Sequence, residues 1–463
     1  MIGERRVGRL EEREGETMVA RSGETTWLTK LERIAMLAAS NKELVFNNLA
    51  HVIDIGMLRE MYRQLDGQKA VGTDGLSKEA YGKCLDDNLS NVLLRIQRGT
   101  YKPKAARMVE IPKEDGSFRP LAISCLEDKV VQSAVNKILC AIFEPLFLPC
   151  SYGFRPKRDC HQALRSLQNN TYQNQDGAVI EIDVRKYFNS IPHGILHECL
   201  GNRISDKRFL KLINVLIKTP TMVDGKVIIN EVGCPQGSIC SPVISNIYLH
   251  YVIDIWFEKI GRTHMKGKTS EVRFADDMVF VFQRMEDAER FYKVLPKRLN
   301  KFGLELHLDK SQLVESGNKA AIRAERNEKR LGNYLFLGFM CYWGKAKKGF
   351  WRLKFASRGD RFIAKLKGLR KYLWENRNSK TSVVLDRVVC FLRGWTNYHG
   401  ISDNQGRVWS FIQRCKRLLF SWFNHRGGKR RMNWKRFTNI LKVINFPEKW
   451  KTKSMFLSVA KQA

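Results

Sequence analysis

The 463-residue chain contains no run of 18 apolar residues, so a membrane-spanning helix is not expected. Its start lacks an apolar signal core. Residues 1–26 are rich in Glu, Arg and Gly, and residues 1–44 read as a charged, mobile extension. None of the 11 cysteines forms a CxxC pair, and Cys84, Cys140, Cys390 and Cys415 fall within apolar segments. No zinc site is legible, and the pattern reads as reduced, buried thiols of a cytosolic protein. Acids are scarce toward the end. Residues 341–463 hold 30 Lys+Arg against 5 Asp+Glu, which is +25 of the net +34. Such an excess repels itself and is best explained by an anionic partner. The same stretch carries eight of the ten tryptophans. Basic and aromatic residues interleaved suit phosphate contact combined with base stacking.

What the chain does have is an acidic pair in an apolar setting. Phe274-Ala275-Asp276-Asp277-Met278 interrupts a β-branched and aromatic run over residues 272–282, which reads as a buried hairpin. Adjacent carboxylates at a hairpin tip repel each other unless a cation joins them. Mg²⁺ prefers one or two carboxylates plus substrate phosphates. A second strand, Ala178-Val179-Ile180-Glu181-Ile182-Asp183, also ends in an acid. Neighbouring strands would bring Asp183, Asp276 and Asp277 together around two metal ions, the arrangement of nucleotidyl transfer.

Other segments frame this pair. Residues 44–66 and a stretch ending at Arg98 read as helices. Residues 111–121 read as two short strands around Glu114-Asp115-Gly116, with Lys113 and Arg119 on either side of the turn. Asp159 and Gln162 have capping-box spacing. Pro235-Gln236-Gly237 reads as a turn opening a helix whose N-terminus faces phosphate. Residues 286–302 read as a helix, residues 304–308 as a strand and residues 334–339 as another. The last third reads as helical. Phe362, Ile363, Leu366, Leu369 and Leu373 share one face. In residues 408–423 an apolar stripe at period 3.6 opposes Arg407, Arg414 and Arg417. Gly427-Gly428 is a plausible stop. Residues 429–436 form a basic cluster of the nucleic-acid type.

Taken in order, the blocks at residues 111–121, 151–156, 183–191, 235–237, 274–277 and 336–339 resemble those of group II intron-encoded reverse transcriptases. Leu392-Arg393-Gly394-Trp395-Thr396-Asn397-Tyr398 resembles the motif of their maturase domain. The resemblance spans residues 45–440, nearly all the chain, and the ordered set is far more specific than any one block. It implies an α+β right-hand polymerase fold: fingers and palm with an antiparallel sheet over residues 45–340, then an all-helical thumb or maturase domain over residues 341–426. A basic nucleic-acid-binding segment at 427–463 would follow. Asp183, Asp276 and Asp277 would be the metal-binding carboxylates of a two-Mg²⁺ site, with the Val184 carbonyl as a further ligand. Phe188 matches the residue that excludes a 2′-hydroxyl. Lys113 and Arg119 match triphosphate contacts, Gln236 and Ala275 flank the incoming dNTP, and Lys310 stands near the pyrophosphate. Arg393, Arg407, Arg414, Arg417, Arg430 and Arg431 would contact RNA.

The implied function is RNA-directed DNA synthesis joined to maturase binding of group II intron RNA. The implied partners are an RNA template with a DNA primer, dNTPs and target DNA, with no membrane. The implied place is the cytoplasm at the nucleoid, or an organellar matrix in a eukaryote. Two features depart from the family pattern. Phe274 stands where the acidic box usually begins with Tyr, which removes a hydroxyl but keeps the ring. A C-terminal endonuclease with His and paired Cys ligands is not legible, so the primer would come from elsewhere. Three rivals remain: a non-enzymatic RNA-binding splicing factor with a relic polymerase fold, a domesticated enzyme of DNA repair or phage defence, and an RNA-templated RNA polymerase.

Overall fold

The computed structural model describes residues 26–112, 116, 118–229, 231–426 and 431–455. From Trp27 the described chain is a packed helix rather than part of an extension through residue 44. In α1 (Trp27–Ser40) the Thr26 hydroxyl accepts from Thr29 N, and Leu31, Ile34 and Ala38 are buried. Their i, i+3, i+7 spacing puts them on one stripe, and that stripe lies against α5. The apolar content of residues 27–40 is what overturns the expected extension; residues 1–25 lie outside the described residues. The helix expected over 44–66 is shorter, α2 (Ile55–Gln64), started by the Asp54 cap on Met57 N. α3 (Lys78–Gly82) and α4 (Leu85–Gln97) follow.

A finger sheet comes next. β1 (Ala106–Pro112) and β2 (Phe118–Ile123) form the expected antiparallel hairpin. α5 (Leu126–Phe143) is buried nearly all round, and α6 (Cys160–Gln173) starts at the Asp159–Gln162 capping box. After β3 (Gly177–Ile182) come α7 (Tyr187–Ser190), α8 (His193–Gly201) and α9 (Lys207–Ile217). β4 (Thr221–Val223) and β5 (Lys226–Ile228) complete the finger sheet, in the order β2-β1-β4-β5. α10 (Ser241–Leu249) runs through a π-helical turn, His250–Asp254, into α11 (Ile255–Thr263). The hairpin of β6 (Thr269–Phe274) and β7 (Asp277–Phe282) is followed by α12 (Met285–Lys301), β8 (Gln312–Ser316) and α13 (Asn318–Arg326). Residues 304–308 do not form the expected strand. They make a single bridge, Val184 with Leu306, and the sheet partner is β8.

The palm sheet has the order β6-β7-β3-β8, antiparallel throughout. Both of its faces are covered, which explains the unbroken apolar runs in β3 and β7. Side chains alternate across a strand. Ala178, Ile180, Ile182, Met278, Phe280 and Phe282 join the core with α12, whereas Val179, Val279 and Val281 join a second core with α6. Phe280 lies 4.7 Å from the Phe257 ring and 4.8 Å from that of Phe291.

The last third is not all-helical. β9 (Tyr334–Phe336), β10 (Phe339–Lys345) and β11 (Trp351–Ser357) form a three-stranded sheet that crosses the expected boundary at 341. The segment 334–339 is a tight turn, not one strand: Leu337 has φ 49° and Gly338 φ 75°. Successive positive φ values suit a two-residue hairpin. The helices begin at α14 (Gly359–Glu375) and continue as α15 (Thr381–His399), α16 (Gln405–His425) and α17 (Trp434–Val443). The stripe of α16 is buried as expected, but Ile363 of α14 is 51% exposed rather than inside. The expected stop at Gly427-Gly428 lies outside the described residues. No helix is long and apolar enough to cross a membrane among the described residues.

Candidate active site

The β6–β7 hairpin closes with Phe274 opposite Asp277, which leaves Ala275 and Asp276 as a two-residue turn. β3 pairs with β7 as far as Ile182 opposite Met278. One further step along both strands brings Asp183 beside Asp277. The three aspartates therefore meet at one end of the sheet because of strand register alone. Beyond Asp183 the chain is pinned: Ser311 Oγ accepts from Asp183 N at 3.1 Å, and His307 N donates to Asp183 O at 2.8 Å. Arg185 N donates to Glu305 O at 2.8 Å, which fixes Val184 between them.

Burial raises the Asp276 carboxyl, and the Asp183 charge adds to it, while Arg119 and Arg273 pull the other way. Asp277 is pushed up to about 7, by burial and then by the charges of Asp276 and Asp183. Solvent still reaches Asp277. For that reason the repulsion from its neighbours is the cause we weight most. A divalent cation would reverse that repulsion, and a set of carboxylate oxygens suits Mg²⁺. Among the described residues, one acid-and-thiol group lies within 4.8 Å, Cys150 with Asp254 and Glu271. Within that group Asp254 is bonded by Arg273.

The acidic turn is held from behind. Ala275 has φ 58°, a left-handed conformation that is strained for a residue with a Cβ. The wholly buried Arg273 guanidinium donates to Ala275 O at 3.2 Å and to Asn246 Oδ1 at 2.9 Å. It also grips both Asp254 oxygens, at 2.7 and 2.6 Å. Burial pushes Asp254 up, but the charge and hydrogen bonds of Arg273 together with His250 outweigh it and hold the carboxyl below its ordinary range. The π-helical turn carries Asp254 on its last residue; such turns commonly mark functional sites. Asn246 Nδ2 in turn donates to Gly153 O at 2.7 Å. A Cβ on Gly153 would fall 2.3 Å from Ala275 N, so only glycine lets residues 151–156 lie against the hairpin.

The other expected residues divide. Phe188 is half-buried and packs edge-on to Tyr187 at 5.4 Å, whose hydroxyl donates to Ser245 O at 2.8 Å. Gln236 Nε2 donates to Asn189 Oδ1 at 3.2 Å, and Cys234 N to Phe188 O at 2.7 Å. Gln236 O accepts from Ala122 N at 2.7 Å, which ties this loop to the finger hairpin. Residues 235–237 do not open the helix, however; α10 begins at Ser241. Lys310 Nζ lies 3.7 Å from Asp183 Oδ2. Arg119 pairs with Ile111 near the finger tip, and its charge reaches Asp276. Lys113 and Arg430 lie outside the described residues. Arg393, Arg407, Arg414, Arg417 and Arg431 are exposed. Arg407 also donates to Ser357 O at 3.0 Å, and Arg414 lies over the Phe362 ring at 5.6 Å.

Sequence reasoning missed Arg273, Asp254, Asn246 and Gly153. A signal existed for one of them: a lone arginine inside the apolar run 272–282 must be paired if it is buried. It also missed how the maturase-like motif meets the palm. Tyr398 OH donates to Leu337 O at 2.7 Å, and His161 Nε2 bonds Tyr398 O at 2.7 Å.

Residues 111–341 match the reverse transcriptase (RNA-dependent DNA polymerase) family. An uncharacterized 91 kDa protein in a cob intron of Schizosaccharomyces pombe is 33% identical over 228 residues, covering 48% of this chain and 28% of that protein. The group II intron-encoded protein LtrA of Lactococcus lactis is 31% identical over 224 residues, 48% of this chain and 37% of its own length. Protein YkfC of Escherichia coli is 36% identical over 211 residues, 45% of this chain and 54% of its own length. The chain thus spans between 28% and 54% of the length of these curated relatives. Residues 111–341 thus carry a reverse transcriptase domain, and the curated relatives that the chain resembles include a group II intron-encoded protein.

Proposed function

We propose that the protein is an RNA-directed DNA polymerase that also binds group II intron RNA as a maturase. The observation that carries the polymerase reading is the strand register that brings Asp183, Asp276 and Asp277 to one sheet end. Two Mg²⁺ ions held there by the three aspartates and the Val184 carbonyl would stabilise charge on the attacking and leaving oxygens. In the reaction a primer 3′-oxygen bonds to the α-phosphorus of a dNTP, and the bond to pyrophosphate breaks. Arg119, Lys113 and Lys310 hold the triphosphate. Phe188, Gln236 and Ala275 form the floor beneath the incoming nucleotide, and the Phe188 ring occupies the room a 2′-hydroxyl needs. Phe188→Ala is expected to raise ribonucleotide incorporation; unchanged selectivity would remove that role.

In the maturase role the thumb arginines, Arg393, Arg407, Arg414, Arg417, Arg430 and Arg431, neutralise intron phosphates, and the RNA performs the splicing chemistry. Target DNA is bound by the same basic surface. The exposure of Arg407, Arg414 and Arg417 on α16, opposite its buried stripe, supports the reading. Primer extension on an RNA template with dNTPs and Mg²⁺, wild type beside Asp276→Ala, tests it. Extension by the wild type alone, with equal RNA binding, is expected. No extension by either, with tight RNA binding kept, would favour the non-enzymatic splicing factor. A catalytic intron RNA surrounding the reading frame separates the maturase from a repair or defence enzyme.

A further inference from the structure

A cavity of about 470 Å³ opens on the thumb, between the end of α15 and the segment 445–451. None of the three aspartates is among its lining residues. Its volume is in the range of pockets that enclose small ligands. Exposed Arg393, Asn397, Lys449 and Lys451 line it, with Phe446 and half-buried Trp450 as the apolar part. Glu448, the acid among the lining residues, is already paired with Lys416. The cations therefore face the opening without an internal carboxylate.

The walls are fixed in advance. Ser402 N donates to Lys453 O at 3.0 Å, and Lys453 N to Gly400 O at 2.8 Å. Gln405 Nε2 donates to Thr452 Oγ1 at 2.9 Å, and Phe446 N to Leu441 O at 2.9 Å. A Cβ at Gly400 would fall 2.3 Å from Thr396 O and 3.0 Å from Trp450 Cδ1, so the end of α15 is tightly packed beside this segment. A pocket held by backbone bonds needs little ordering on binding.

We propose that this cavity receives one unstacked nucleotide of single-stranded RNA, an inference that rests on the RNA-binding reading above. An aromatic wall takes a base that has left its stack. An amide such as Asn397 offers both a donor and an acceptor to a base edge. Arg393, Lys449 and Lys451 match the flanking phosphates. A paired base cannot enter, because its edge and faces are already occupied.

The test uses the full chain and a single-stranded RNA of about 12 nucleotides carrying one 4-thiouridine, beside the same RNA annealed to its complement. Irradiation and peptide mapping are expected to place the single-strand crosslinks on residues 393–397 and 445–451, with the duplex giving at least about fivefold less. The double variant Asn397→Ala, Lys451→Glu is expected to bind the single strand about tenfold more weakly at an unchanged thermal midpoint. Crosslinks mapping elsewhere, equal yield from the duplex, or unchanged affinity of the variant would overturn the pocket. Primer extension by the same preparation keeps the readings apart. Extension and RNA binding without pocket crosslinks would sink the pocket alone, whereas loss of all RNA binding by the wild type would sink the maturase reading.

Discussion

At the scale of single residues, the site depends on a buried cation that is not part of the chemistry. Arg273 ties Asp254, Asn246 and Ala275 O together beneath the catalytic turn. Arg273→Ala would leave Asp254 charged and unpaired in the core, a loss of about 3–5 kcal/mol, visible as a lower urea midpoint. Arg273→Lys keeps the charge but not the two-pronged grip. It is expected to fold and to extend primers at least about tenfold more slowly, with a raised Mg²⁺ requirement; wild-type rates would show that the turn does not need the grip. A second buried acid tests the fingers. Asp128 accepts from Tyr101 OH at 2.5 Å, and burial pushes its carboxyl up to about 7. The folded state thus keeps a proton that the unfolded chain releases near pH 4. The stability this brings is complete below about pH 4 and is lost as pH rises through about 7. Asp128→Asn, neutral throughout, is expected to gain on the wild type in thermal midpoint between pH 5 and pH 8. An offset equal at both pH values would contradict that account.

At the scale of elements, strand register does most of the positioning. A two-residue turn and one antiparallel partner bring Asp183 to Asp277, and this was legible. The apolar run over 178–182 ended in an acid and that over 272–282 was interrupted by two, and period and composition identified the strands. What was not legible came from contacts distant in sequence. β8 has few apolar residues in a row, and its place beside β3 depends on Gln312 reaching Glu181, at 2.7 Å. The strands β10 and β11 were read as helical thumb because their aromatic content fits either period. Ile363 fitted the helical stripe of α14 and yet faces solvent, because the stripe is narrower than its apolar residues suggest. Gly153 stood in the block 151–156 with no role of its own, and only the fold shows Ala275 N where its Cβ would lie. Gly153→Ala must push the hairpin or the loop by several tenths of an ångström. The expected outcome is a stable protein whose primer extension falls at least about tenfold, because displacement of catalytic groups by about 1 Å can cost a hundredfold. Undiminished extension would show that the two segments can part without cost.

At the scale of the whole molecule, charge is segregated. Residues 341–463 carry +25 of the net +34, and the polymerase site lies in the remainder. RNA affinity should therefore fall steeply with salt, through the thumb more than through the palm. Arg414→Glu with Arg417→Glu is expected to weaken binding of intron RNA and to reduce the slope of log affinity against log salt by about 1–2. An unchanged slope would move the RNA-binding face off α16. The thumb is also joined to the palm by specific bonds, Tyr398 to Leu337 O and His161 to Tyr398 O.

The most direct test is the rate of dNTP incorporation on an RNA template by Asp183→Asn, Asp276→Asn and Asp277→Asn beside the wild type, with RNA affinity measured on each preparation. Losses of about a thousandfold for Asp183→Asn and Asp276→Asn, and at least about tenfold for Asp277→Asn, are expected at unchanged RNA affinity. Incorporation that survives in Asp183→Asn or Asp276→Asn would contradict a single metal-dependent centre built from the ends of β3 and the β6–β7 hairpin.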